Sequence, residues 1–182
     1  MTHKGTKELT TDRLILRRFS MEDAQAMYEN WASDPEVTRF LTWPTHSSVE
    51  VTKMVLSGWV DNYAKDDFYN WAIELKETGT VIGNISVVKL REDTECATVG
   101  YCMGRAWWGR GIMPEALGEV IAFLFDEVGA NRIEACHDAN NPKSGRVMAK
   151  AGMKFEGILR QAGHNNVGIV DEVWHSVLRD EV

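Results

Sequence analysis

Apolar positions recur along this chain in two periods, and the changes from one to the other mark its elements. "RLILRRF" at 13–19 alternates in part and is rich in branched residues, which predicts a strand. In "SMEDAQAMYENWAS" (20–33), Ser20 is placed as an N-cap with Asp23 three residues on, which predicts a helix. "DPEVTRFLTWPTHSS" (34–48) holds two prolines and two aromatics without a period, and a second helix follows from Val49 to Ala64. "NWAIEL" (70–75), "TVIGNISVVKL" (80–90) and "CATVGYCM" (96–103) read as strands, with "KETG" as the first turn between them. Leu117, Val120, Ile121, Leu124 and Val128 then return at helical spacing, and Gly129 is placed to end that helix. "NRIEACH" (131–137) is a strand and "SGRVMAKAG" (144–152) a short helix closing on Gly152. "KFEGILRQ" and "DEVWHSVL" are two last strands across the polar turn "GHNNVG" (163–168). The order β-α-α-β-β-β-α-β-α-β-β predicts a mixed α+β fold.

With 182 residues and no linker or repeat, the expected unit is one domain over 1–182, with 1–8 as a loose lead-in. An apolar fraction of 44% and a charged fraction of 26% are those of a soluble globular protein. The net charge of −7 speaks against nucleic acid as a partner, because phosphate backbones need clustered Lys and Arg. An acidic surface can draw cationic amines or simply keep the protein soluble. Cys96, Cys102 and Cys136 form no C-x-x-C pair and lie in or beside apolar stretches, which points to a reducing compartment. The start "MTHKGTKELTTDR" has no apolar signal core, and the longest apolar run, "VIAFLF", is far too short to span a bilayer. The expectation is a cytoplasmic protein without membrane contact.

The chemistry begins at "WWGRGIMPEAL" (107–117). Pro114 suits the first turn of a helix, so Gly109 to Met113 present backbone N–H groups at its positive end. Such an end binds phosphate without a lysine; Gly109 and Gly111 clear the approach and Arg110 adds a charge. A dinucleotide loop would need a third glycine where Pro114 stands, and a P-loop would need Gly-Lys-Ser/Thr. On the glycines alone, a plain strand-to-helix turn remains equally open.

"VGYCMGRAWWGRGIMPEAL" resembles the central motif of the GNAT family of acetyl-CoA-dependent N-acetyltransferases. "RIEACHDANNPKSGRVMAKAGMKFEGILR" and "TDRLILRRFSMEDA" resemble blocks of its ribosomal-protein alanine/serine branch, so the likeness covers residues 9–179. It implies a mixed, mostly antiparallel sheet of six to seven strands, splayed between the fourth and fifth and flanked by about four helices. It implies acetyl-CoA as co-substrate, no metal, and a monomer or homodimer. By the resemblance, Tyr101, Cys102, Met103, Trp108, Gly109, Arg110, Gly111, Ile112 and Met113 would hold the cofactor, with Asn141 and Ser144. Trp107 reads as core or rim.

Acetyl transfer needs a neutral amine, donors for the oxyanion and a proton for the thiolate. Many relatives supply that proton from a tyrosine, which here is Met148; in the ribosomal-protein branch Ser144 takes over, with Asn141 on the pantetheine arm or a water. Both also stand where a helix cap would. Thr98 and Gly163 occupy positions where relatives carry glutamate, which leaves His137, Asp138, His164 and Glu95 as candidate bases. The pair at 137–138 is too little for a metal.

An α-amine, pKa about 7.7–8.0, is roughly a tenth neutral at pH 7, against about 1 in 2,500 for lysine at about 10.4, a gap of ~3.5 kcal/mol. A site without a strong base therefore suits an N-terminus, such as a ribosomal protein's, though a small amine of lowered pKa passes equally well. The acceptor is expected near "DPEVTRFLTWPTHSS" and "GHNNVG", where Phe40, Trp43 and His164 can line a groove or anchor the loops. The rivals are a small-amine acetyltransferase and an acetyl-CoA-binding module without catalysis.

Overall fold

Each apolar run read as a strand becomes one, in a computed structural model that describes all 182 residues. The strands are β1 (Leu9–Thr10), β2 (Leu14–Arg17), β3 (Asn70–Leu75), β4 (Thr80–Arg91), β5 (Cys96–Met103), β6 (Arg132–Asp138), β7 (Lys154–Asn165) and β8 (Gly168–Leu178). They form one sheet in the order β1-β2-β3-β4-β5-β6-β8-β7. The sheet has eight strands rather than six or seven, because the two residues of β1 add an edge to β2. All neighbours are antiparallel except β5 and β6, which run parallel over three residue pairs, Cys96 to Thr98 with Arg132 to Glu134, and then part. This is the expected splay.

Five α-helices stand where about four were expected: α1 (Ala24–Met27), α2 (Pro35–Thr38), α3 (Val49–Asn62), α4 (Ile112–Phe123) and α5 (Pro142–Lys150). On one sheet face, Leu14, Leu16, Ile73, Ile82 and Val99 bury against Leu117, Val120 and Ile121 of α4 and Met148 of α5. On the other, Phe19, Met27, Trp31 and Leu56 form a second cluster with Ala72 and Cys102. Burial of such side chains, worth about 1.5–3 kcal/mol each, clamps both faces and leaves the splay as the opening.

The helix expected from Ser20 is broken into a 3₁₀ turn (Met21–Asp23), α1 and a π turn (Tyr28–Ala32). Asp23 does accept from the Ser20 amide at 2.8 Å, as the capping pattern predicts. The wider π turn sets the Asn30 backbone against Gly104, where any Cβ would overlap the Asn30 carbonyl. α4 begins at Ile112 and ends in a π turn, closed by Gly129 at φ +82°.

Two local expectations need correction. Residues 1–8 are docked rather than loose: the Trp71 indole donates to Lys7 O at 2.6 Å, Thr6 Oγ1 to Phe68 O at 2.9 Å, and the Thr2 amide to Val128 O at 2.7 Å. These partners lie more than 60 residues away, beyond the reach of any local pattern. The turn after β7 is also shorter than "GHNNVG": Gly163, His164 and Asn165 extend the strand, paired with Val170, Ile169 and Gly168.

Candidate active site

The glycine stretch forms a loop of left-handed backbone ahead of α4. Gly109 and Gly111 sit at φ +76° and +73°, a region that side chains rarely adopt. Conformation, not crowding, requires them: a Cβ at Gly109 would meet nothing, and one at Gly111 only Arg13 Nη2 at 3.7 Å. The amides of Gly109, Arg110, Gly111, Ile112 and Met113 make no hydrogen bond within the protein. Ile112 and Met113 bury their side chains in the core, so they offer backbone donors alone. Five free donors at a helix N-terminus, with the exposed Arg110 beside them, fit a pyrophosphate.

The loop is braced from the far end of the chain. Arg13 Nη1 donates to Arg110 O at 2.9 Å, and Arg13 Nε to Glu115 at 2.7 Å. Glu115 also accepts from Thr11 Oγ1 at 2.5 Å and from the Arg13 amide at 3.0 Å. Burial opposes the charge on Glu115, but these bonds outweigh it and hold the carboxyl below its usual range. Trp108 is fastened at its indole to Met103 O at 2.7 Å, with Lys143 5.4 Å over its ring. Trp107 packs partly buried on the core.

The splay opens from a locked point. Glu134, 5% exposed, accepts from Thr98 Oγ1, Arg91 and Arg132 at 3.0, 3.0 and 3.1 Å, joining β4, β5 and β6 where the parallel pairing ends. Glu134 thus lies beside Thr98, but two arginines neutralise it. Beyond Thr98 the strands part. The Gly104 amide bonds Ile82 O at 2.9 Å, so strand alternation turns the amides of Met103 and Tyr101 into the gap and that of Cys102 toward β4. Cys102, expected at the cofactor, is therefore turned away. Its thiol donates to Asn84 Oδ1 at 3.0 Å, and burial pushes it up to about 12.

Ser144 closes the head of the gap. Its Oγ and carbonyl both lie 3.0 Å from the Tyr101 hydroxyl, joining β5 to α5 across the opening. Burial raises the Tyr101 phenol well above its ordinary value, so it stays protonated. Neither Asn141 nor Ser144 caps α5 through its side chain; the Asn141 backbone N–H donates to Asp138 O at 2.7 Å, and its side-chain amide is free of protein partners. Met148 is 1% exposed in the core, so nothing from that position reaches the gap.

His137 lies beneath α5. Its Nδ1 is 2.8 Å from Asp138 O, its ring stacks on His175 at 5.5 Å, and a Cβ on Gly145 would stand 2.5 Å from its Nε2. On the opposite face the loop after α2 meets the β7–β8 turn. Asn166 Nδ2 donates to Thr38 O at 2.9 Å and Trp43 O at 2.7 Å, and the Asn166 amide to Leu41 O at 3.1 Å. Trp43 packs on the second core cluster with His46 at 5.2 Å, while Phe40 is half-buried beneath Arg39. Asn165 reaches Asp138 at 2.8 Å on this face, so His164 alternates to the other and stands exposed. Asp138 is buried here, held by Asn140 and Asn165. The Arg13 brace was not anticipated: it lies in a run read only as a strand.

Comparison with known proteins agrees with this geometry. Residues 13–154 match the family described as Acetyltransferase (GNAT) domain. An uncharacterized N-acetyltransferase p20 of Bacillus licheniformis is 30% identical over 173 residues, 95% of this chain and 97% of that one. The [ribosomal protein uS5]-alanine N-acetyltransferase of Escherichia coli is 28% identical over 158 residues, 82% and 79% of the two chains. The crystal structure of a GNAT-family acetyltransferase from Bacillus anthracis superposes with a TM-score of 0.84 at 23% identity, over 96% of this chain and 99% of that one. The free-amide loop, the splayed sheet and these matches together make the chain a member of the GNAT family, an N-acetyltransferase that uses acetyl-CoA.

Proposed function

We propose that this acetyltransferase acts on protein N-terminal α-amines, in the manner of the ribosomal-protein branch. The observation that carries the reading is the Tyr101–Ser144 pair at the head of the gap, with the alternative position, Met148, sealed in the core. The similarity to a relative that acetylates a ribosomal-protein alanine supports it.

Acetyl-CoA supplies the acyl group as a thioester. The amides of Gly109–Met113 and Arg110 hold its pyrophosphate, and the gap-facing amides of Tyr101 and Met103 are donors for the arm and the acyl oxygen. Ser144 Oγ gives the proton that the departing sulfur needs, and the Tyr101 phenol, 3.0 Å behind, replaces it. Asn141 offers its side-chain amide to the arm.

Two measurements check this. Gly111→Val places a branched side chain at φ +73°; acetyl-CoA affinity falls about tenfold by calorimetry, because the loop must abandon its amide geometry. Mass spectrometry then reads acetyl transfer to peptides with N-terminal Ala, Ser or Met, to blocked peptides with an internal lysine, and to small amines. Labelling confined to free N-termini is expected. Labelling of small amines alone overturns the proposal, as does silence with acetyl-CoA bound.

A further inference from the structure

The reading above leaves the acceptor's own proton without a taker, and the acceptor face holds one carboxylate suited to it. Strand β8 pairs Glu172 with Asp138 of β6, which turns it to the same face as Cys136, the residue next to Ala135 where β6 borders the gap. Glu172 Oε2 accepts from the Trp174 indole at 3.0 Å, and the Cys136 thiol is the other protein donor in reach of the carboxylate. No lysine, arginine or histidine pairs with it, unlike Glu134, Glu115 and Glu156. From β7, a Cβ on Gly163 would stand 2.6 Å from Oε1 and 2.8 Å from Cγ, so the Glu172 carboxylate fills the room a side chain at 163 would take. The charged and titratable groups facing it are Asp138 and Cys136; Asp171, its neighbour, turns away to accept the Gln161 amide at 2.8 Å. The Cys136 thiol is pushed up to about 12, first by burial and then by the nearby Glu172 and Glu134 carboxylates, of which Glu134 is paired with two arginines and Glu172 with none.

We propose that Glu172 is the base of the acceptor site: Oε1 receives the acceptor's ammonium and takes one proton from it before attack. This rests on the acetyl-transfer reading above. One proton passes from nitrogen to Glu172 and leaves to water when product departs. The nitrogen forms the new N–C bond as the C–S bond breaks; the sulfur takes its proton from Ser144, and the second nitrogen proton passes through water to restore the Tyr101–Ser144 pair. No oxidation state changes. His137 does not serve, because it lies beneath α5, packed against Gly145 and His175.

The test measures kcat/KM from pH 6.5 to 9 on whichever amine the wild type acetylates. Glu172→Gln loses about 10²-fold at pH 6.5, and the loss shrinks toward pH 9, where an α-amine is already neutral. Acetyl-CoA affinity stays unchanged. Gly163→Ala keeps the charge but drives the carboxylate off its place, and costs about tenfold with the same pH dependence. Full activity in Glu172→Gln, or a loss equal at every pH, overturns the proposal while leaving the acetyltransferase reading intact. A wild type that acetylates no amine overturns both.

Discussion

Ser144→Ala lowers kcat by about 10³-fold, while acetyl-CoA affinity changes by no more than about twofold. The hydroxyl is fixed from one side only. Tyr101 holds Oγ at 3.0 Å from β5, and the backbone of α5 carries it to the mouth of the splay. Alanine removes the proton source and leaves the helix, since Ser144 caps nothing, so stability is unchanged. Tyr101→Phe keeps the ring in the core and deletes only the partner of Oγ, so kcat falls about tenfold. Burial raises the Tyr101 phenol above its ordinary value, so the pair keeps its proton through the whole working range. The alkaline limb of the wild-type rate profile therefore lies above about pH 10, the ordinary tyrosine value. Steady-state kinetics with calorimetry on the two variants decide it. Equal affinities and an unchanged kcat in Ser144→Ala would return the residue to a bystander at the helix start.

Much of this site was legible in the sequence because its signals are local. Gly109 and Gly111 marked the loop, though as room for a ligand, where the structure shows left-handed backbone; Pro114 marked a helix start, and "CATVGYCM" the strand that leads to them. The splay followed from the family resemblance, not from periodicity, because nothing in "RIEAC" alone says that pairing stops after Glu134. What escaped depends on register. Whether Cys102 or Met103 turns its amide to the gap is decided by pairing with β4, and the period of two makes them opposites. His137 and Asp138 looked like one candidate pair, yet the same alternation sends them to opposite faces. Glu172 is recognisable only once β7 is laid beside β8 and Gly163 falls against it. The Arg13 brace crosses 97 residues to reach Arg110. Loop 34–48 carried no period, and tertiary bonds from Asn166, not its own sequence, hold it in place.

Glu134→Ala destabilises the fold by about 3 kcal/mol and lowers Tm by about 6–12 °C. The side chain is 5% exposed and is the one acceptor shared by Thr98, Arg91 and Arg132. Its loss strands the Thr98 hydroxyl, 7% exposed, without a partner and leaves two arginines facing each other. The cost stays at the lower end for a broken buried pair because Arg91 and Arg132 keep part of their surface in water, and Arg132 retains Glu156 at 2.9 Å. Burial works against the charge on Glu134, but Arg132, Thr98 and Arg91 outweigh it, so its pKa lies below the ordinary value. A lowered carboxylate stabilises the fold above its unfolded value, about 4.3, and that support drains away as pH falls through the folded one. The stability difference between the wild type and Glu134→Ala should thus be full at pH 7 and shrink progressively as pH falls below about 4.3. The consequence reaches the reaction, because only three residue pairs join β5 to β6 and Glu134 lies at the last of them. When that lock is lost, the parting point can migrate toward Cys96, the gap widens, and acetyl-CoA binds more weakly even where the protein remains folded. Thermal melts against pH, with calorimetry below the transition, test both halves. A destabilised variant with unaltered acetyl-CoA affinity would show that the splay is held open by the helices packed on its two faces and not by its lock.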